Sequence, residues 1–143
     1  MYKRQPLNSW NVSNVEDMSF MLANAESFNQ PLNSWNVSQV TNMSYMFAGA
    51  KSFNQPLDSW NVSKVTTMRS MFQNARHFNQ PIGAWNVESV TDMSFMFYGA
   101  EKFCQVLDNW NVCNVTSMGY MLEGAFEMMR RPPKWANDQA LMR

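Results

Sequence analysis

Charge is scarce in this sequence and evenly split. Eleven Lys and Arg residues face eleven Asp and Glu, the formal net charge is zero, and there is one histidine. A duplex-binding protein concentrates positive charge along one face to displace counterions. Here basic residues gather only as Lys3-Arg4 near one end and as Arg130-Arg131 with Lys134 and Arg143 near the other. Nucleic acid is therefore not an expected partner. Apolar runs stay well short of the about 18 residues a spanning helix needs, so no membrane span is expected. No apolar leader segment with a cleavage site follows Met1, which leaves a cytoplasmic protein or a piece of an exported one. Cys104 and Cys113 are too few for a disulfide framework or a metal cage. They are either locally bonded to each other or two free thiols.

What the chain does contain is repetition. Trp10, Trp35, Trp60, Trp85 and Trp110 fall 25 residues apart, each followed by Asn and Val. A fixed period of this size marks a stacked repeat array. It also accounts for 14 methionines and six tryptophans in so short a chain, because most occupy fixed columns.

Within one unit, Trp35 and Val37 alternate with Ser34, Asn36 and Ser38, which predicts a short strand with Trp and Val inward. From Val40 the spacing changes. Val40, Met43, Met46, Phe47 and Ala50 predict one face of a short α or 3-10 helix, with Ser38 or Thr41 as its N-cap. Gly49, Gly99 and Gly124, with Asn24 and Asn74 in the same slot, predict the left-handed residue that closes it. Pro56 then marks the return turn. The expected fold is an α/β solenoid, a right-handed, leucine-rich-repeat-like stack of about five 25-residue coils, each with a parallel strand and a short helix. Residues 1–125 form the repeats and 126–143 a degenerate last coil or C-terminal cap, since Met128 and Pro132 replace the Phe and Leu of the motif. Met1 to Gln5 is a partial unit with Lys3 in the Phe column, leaving an uncapped first edge through which a homodimer could form.

The motif FNQPLNSWNVS-x-V-T-x-M-S-x-MF-x-GA resembles the bacterial surface-protein repeat of BspA-like and mycoplasma-type lipoproteins, a domain family of unknown function related to leucine-rich repeats. The resemblance covers residues 5–125. It implies a short-strand, short-helix array within larger exported or cell-surface proteins, and it brings no catalytic residues.

Candidate sites follow from the columns. Trp10, Trp35, Trp60, Trp85 and Trp110, with Met43, Met46, Met68 and Met71, are expected as core ladders. The paired methionines are read as packing residues ahead of a soft-metal site. The Asn column is expected to form an amide ladder from coil to coil, and its Asn-x-Ser triplets follow from the repeat. Asn11, Asn36, Ser38, Asn61, Ser63, Lys64, Asn86, Glu88, Asn111 and Cys113 make the candidate binding face, where the residues between the Asn positions vary. His77 lies in a freely varying column, and Asp17 and Asp92 share theirs with Asn42, Thr67 and Ser117. No triad or carboxylate pair emerges, so neither catalysis nor a cofactor or metal is expected. The row of Thr41, Thr66, Thr91 and Thr116 is read as capping ahead of ice binding. The expected function is a non-catalytic scaffold presenting a recognition surface to another protein. A structural spacer or self-assembling array and a glycan-binding array are the alternatives.

Overall fold

Backbone hydrogen bonds in the repeats divide by position. The amides of Met43, Tyr45, Phe47 and Gly49 donate to the carbonyls of Thr67, Arg69, Met71 and Gln73 in the next coil, at 3.1, 2.9, 2.9 and 2.7 Å. Those of Met46, Ala48 and Ala50 turn back three residues to Met43, Tyr45 and Phe47. Every second amide therefore joins coil to coil, and the others close turns within a coil. The same alternation recurs one period later: Met68, Ser70, Phe72 and Asn74 reach Asp92, Ser94, Met96 and Tyr98. Buried amides are in this way satisfied without a regular helix or sheet. The structure is a computed structural model, which describes residues 7–141. The partial unit at Met1 to Gln5 lies outside them.

This arrangement overturns the expected α/β solenoid. Among the described residues there is no strand or sheet, only isolated parallel bridges from Asp17 to Asn42, Thr67, Asp92 and Ser117 in turn. These lie away from Trp35-Asn36-Val37, where the strand was expected. There the Trp35 amide bonds Leu32 O and the Val40 amide bonds Val37 O, so consecutive turns consume the groups a ladder would need.

The expected helix after Val40 is also absent. Its apolar residues recur at three-residue steps, Val40, Met43, Met46, and each step is a turn. Left-handed residues interrupt any helix twice per coil, at Tyr45 (φ 59°) and Gly49 (φ 75°) and at their equivalents. The Gly/Asn slot is left-handed as expected, but it closes a turn.

The described helices are a 3-10 turn at Leu7–Ser9, within the first repeat, and α1 at Phe126–Arg130 and α2 at Asp138–Leu141, beyond the repeats. The segment carrying α2 lies against the last coil, where the Tyr120 and Leu122 amides donate to Gln139 O and Ala140 O. Trp135 stacks on Trp110, with centroids 6.2 Å apart.

Side chains pile up as the backbone does. Phe28, Phe53, Phe78 and Phe103 stack at 5.8–5.9 Å between coils, and Phe47, Phe72 and Phe97 at 5.4–5.7 Å beside them. Such parallel, closely spaced rings bury large apolar areas that one coil alone would leave wet. Met43, Met46, Met68 and Met71 are buried among them.

Candidate functional site

The Trp column shows how one position serves two coils. The Trp60, Trp85 and Trp110 indoles each donate to the carbonyl of Leu32, Leu57 or Ile82 in the preceding coil, at 2.9–3.0 Å. Trp35, Trp60, Trp85 and Trp110 are buried, whereas Trp10 is 49% exposed. Phe20 and Met21 are exposed as well.

The candidate face lies on the surface. Asn11, Asn36, Asn61, Asn86 and Asn111 are exposed, as are Lys64, Glu88 and Cys113, and Ser38 and Ser63 are partly so. The Asn side chains do not form the expected ladder. Each turns back within its own coil, its Oδ1 accepting the amide of Ser13, Ser38, Ser63, Glu88 or Cys113 at 3.0–3.1 Å. This tightens the turn after the Trp. Adjacent coils meet on this face where Lys64 Nζ donates to Gln39 Oε1 at 2.9 Å.

The coil-to-coil amide ladder exists in a different column. Asn29 Oδ1 accepts the Asn54 amide and Gln55 Nε2, Asn54 Oδ1 accepts the Asn79 amide and Gln80 Nε2, and Asn79 Oδ1 accepts the Cys104 amide and Gln105 Nε2. Cys104 has no side-chain carbonyl with which to continue it. Both cysteines are free and exposed. Thr66, Thr91 and Thr116 likewise use their hydroxyls to reach the preceding coil's Thr carbonyl, at 3.2–3.3 Å, and cap no helix.

Titratable groups do not converge. No cluster of three or more His, Cys, Asp or Glu side chains that could hold a metal occurs among the described residues. His77 Nδ1 lies 2.7 Å from Lys51 O on the exposed surface. The Asp17 carboxylate, which accepts from the Ser19 side chain and amide, is held below its ordinary pKa. Tyr45 is also held below its ordinary value, chiefly by the Arg69 side chain and secondarily by Ser70. The Ser70 hydroxyl has no partner in hydrogen-bonding geometry, so Arg69 is the cause that stands on contact geometry.

One feature of the surface was missed in reading the sequence. Tyr45, Arg69, Ser70, Gln73, Phe95 and Tyr98 line a notch of about 270 Å³. Its signal is a column that runs Phe20, Tyr45, Ser70, Phe95, Tyr120, aromatic in all coils but the middle one.

Coils of one length, built from turns and stacked in register, define a repeat protein. Two overlapping matches, over residues 1–91 and 56–141, place the chain in the family described as "Mycoplasma protein of unknown function, DUF285", and it belongs to that family. No curated protein and no solved structure matches the chain. No described helix is long and apolar enough to cross a membrane.

Proposed function

We propose that the chain is a non-catalytic scaffold whose exposed, variable columns recognise another protein, as part of a bacterial-type surface or adhesion protein. The observation carrying this reading is how the columns divide. Trp, Val, Met and Phe positions that repeat from coil to coil are buried through the middle of the stack, whereas most polar residues that change are exposed or half-exposed, Ser70 and Ser94 being buried exceptions. One exposed column passes from Ser38 and Ser63 to Glu88 and Cys113, and its neighbour from Gln39 and Lys64 to Ser89. A surface that varies on a repeating frame supports recognition better than it supports a uniform spacer. Burial of four Trp rings removes most of the platform a glycan-binding array would use.

The test compares the wild-type chain with a Lys64→Glu/Glu88→Lys variant, both immobilised and exposed to solubilised surface proteins. Loss of one defined retained protein, with thermal unfolding unchanged, supports the reading. Identical retention by both proteins counts against it.

Self-association is a second reading, favoured by the exposed Trp10, Phe20 and Met21 of the first coil. Repeat amides at Met18, Phe20, Leu22 and Asn24 all point to the following coil, so two first coils would meet carbonyl to carbonyl. Such a homodimer rests on apolar contact. Sedimentation of Phe20→Lys, expected to be monomeric where the wild type is dimeric, tests it.

A further inference from the structure

Phe20 stacks on Tyr45 with centroids 4.6 Å apart and planes 5° from parallel, and Phe95 on Tyr120 at 5.1 Å and 18°. Ser70 stands between these two pairs. Its backbone is left-handed (φ 56°), like Tyr45 and Phe95 at 59°, and its amide makes the same coil-to-coil bond, to Ser94 O at 2.9 Å. The coil is therefore shaped for a ring that its own sequence does not provide.

Three further observations describe what would fit. Ser70 is 1% exposed, and its Oγ lies without a hydrogen-bond partner at the notch. A buried hydroxyl in that state favours an occupant that offers it a polar atom. The notch volume of about 270 Å³ falls just under the range of sites for drug-sized ligands, which limits the occupant to one ring with short substituents. The Arg69 guanidinium lies over the Phe95 ring, 5.2 Å from its centroid and on the face a ligand ring would take, and 3.9 Å from the Asp92 carboxylate. Its side chain is 42% exposed, so it can swing from the ring face to meet an anion.

We infer that the notch binds a small aromatic carboxylate. The ring takes the missing place between Tyr45 and Phe95, the carboxylate pairs with Arg69, and a ring substituent meets the Ser70 hydroxyl. Stacking on two aromatic faces supplies the fit, and the planar guanidinium selects the charged group.

The experiment titrates the full chain with 4-hydroxybenzoate while amide shifts are followed by NMR. Saturable shifts centred on Tyr45, Ser70, Phe95 and Tyr98 are expected. Ser70→Phe fills the place and should abolish them. Should that variant not fold, Ser70→Leu, which blocks the same space, is read in its stead. Arg69→Gln should weaken 4-hydroxybenzoate about tenfold or more, a change of about 1.4 kcal/mol, while leaving phenol binding unchanged. Absence of saturation with the wild type, retained binding in the filled variant, or equal affinity for phenol and 4-hydroxybenzoate would each overturn the assignment.

Discussion

The Leu32 carbonyl accepts two hydrogen bonds, from the Trp35 amide of its own coil at 3.0 Å and from the Trp60 indole of the next at 2.9 Å. The second bond replaces, on this side of the stack, the backbone ladder that the turns have used up. Trp60→Phe keeps a stacking ring but removes the indole donor, and should cost about 0.5–1.5 kcal/mol. Trp60→Ala also empties the space between Trp35 and Trp85 and should cost about 3–5 kcal/mol. Urea denaturation of the two variants separates the hydrogen bond from the packing.

Asn74 and Gly99 fit together as a pair. The Asn74 Oδ1 occupies the place where a Cβ at Gly99 would stand, and Gly99 itself is left-handed (φ 71°). Asn24 lies over Gly49 in the same way, so Asn and Gly alternate over these coils. Gly99→Ala should therefore destabilise the protein by at least the about 1–3 kcal/mol of a strained backbone position. Adding Asn74→Ala removes the clash but sets a second alanine in left-handed backbone (Asn74 φ 60°), so the double variant should stay well below wild-type stability. Gly119, around which an added Cβ would meet nothing, is the control, and Gly119→Ala should leave the melting temperature nearly unchanged.

The 25-residue period and the inward columns could be read from the sequence because burial of Trp, Val, Met and Phe needs only a repeated register. The backbone between them could not. Val40, Met43 and Met46 satisfy a helix-face pattern and a succession of three-residue turns equally well. What decides between these is the left-handed conformation of Tyr45, and a bulky aromatic residue gives no sequence sign of it. The strand failed at Asn36 for a similar reason, since its side chain bonds the Ser38 amide and bends the chain. Nor does the sequence separate Asn36 from Asn54. Both recur from coil to coil, the second as far as Asn79, yet the Asn36 side chain bonds within its own coil and the Asn54 side chain bonds the next. The Ser70 notch was legible as a broken aromatic column, but only once that column was known to stack.

The ladder through Asn29, Asn54 and Asn79 should be directional in its response to substitution. Asn54→Ala removes the acceptor for both the Asn79 amide and Gln80 Nε2. A loss of about 1–2 kcal/mol is expected, together with faster exchange of the Asn79 amide hydrogen. The Asn54 amide, which donates to Asn29 Oδ1, should keep its protection. Cys104→Ala, at the ladder's end, should leave both amides unchanged, because Cys104 contributes only its backbone N–H. Native-state hydrogen exchange reads both amides at once.

Tyr45 ties the notch to pH. Arg69 beside its phenol, with Ser70 as a lesser cause, favours the phenolate and lowers its pKa in the folded state. Below that lowered value the phenol is protonated in both folded and unfolded chains and contributes nothing. As pH rises through it, the folded state releases its proton first, so stability is gained. The gain is complete above the ordinary tyrosine value of about 10 and is lost again as pH falls back through the folded value. Arg69→Gln should move the Tyr45 titration, followed by its ultraviolet absorbance, upward toward the ordinary value. The alkaline gain in stability should disappear with it. At neutral pH the loss of the Arg69–Asp92 contact is a change of at most about 1 kcal/mol, since both side chains are partly exposed. An unchanged titration in Arg69→Gln would show that the cation does not govern Tyr45.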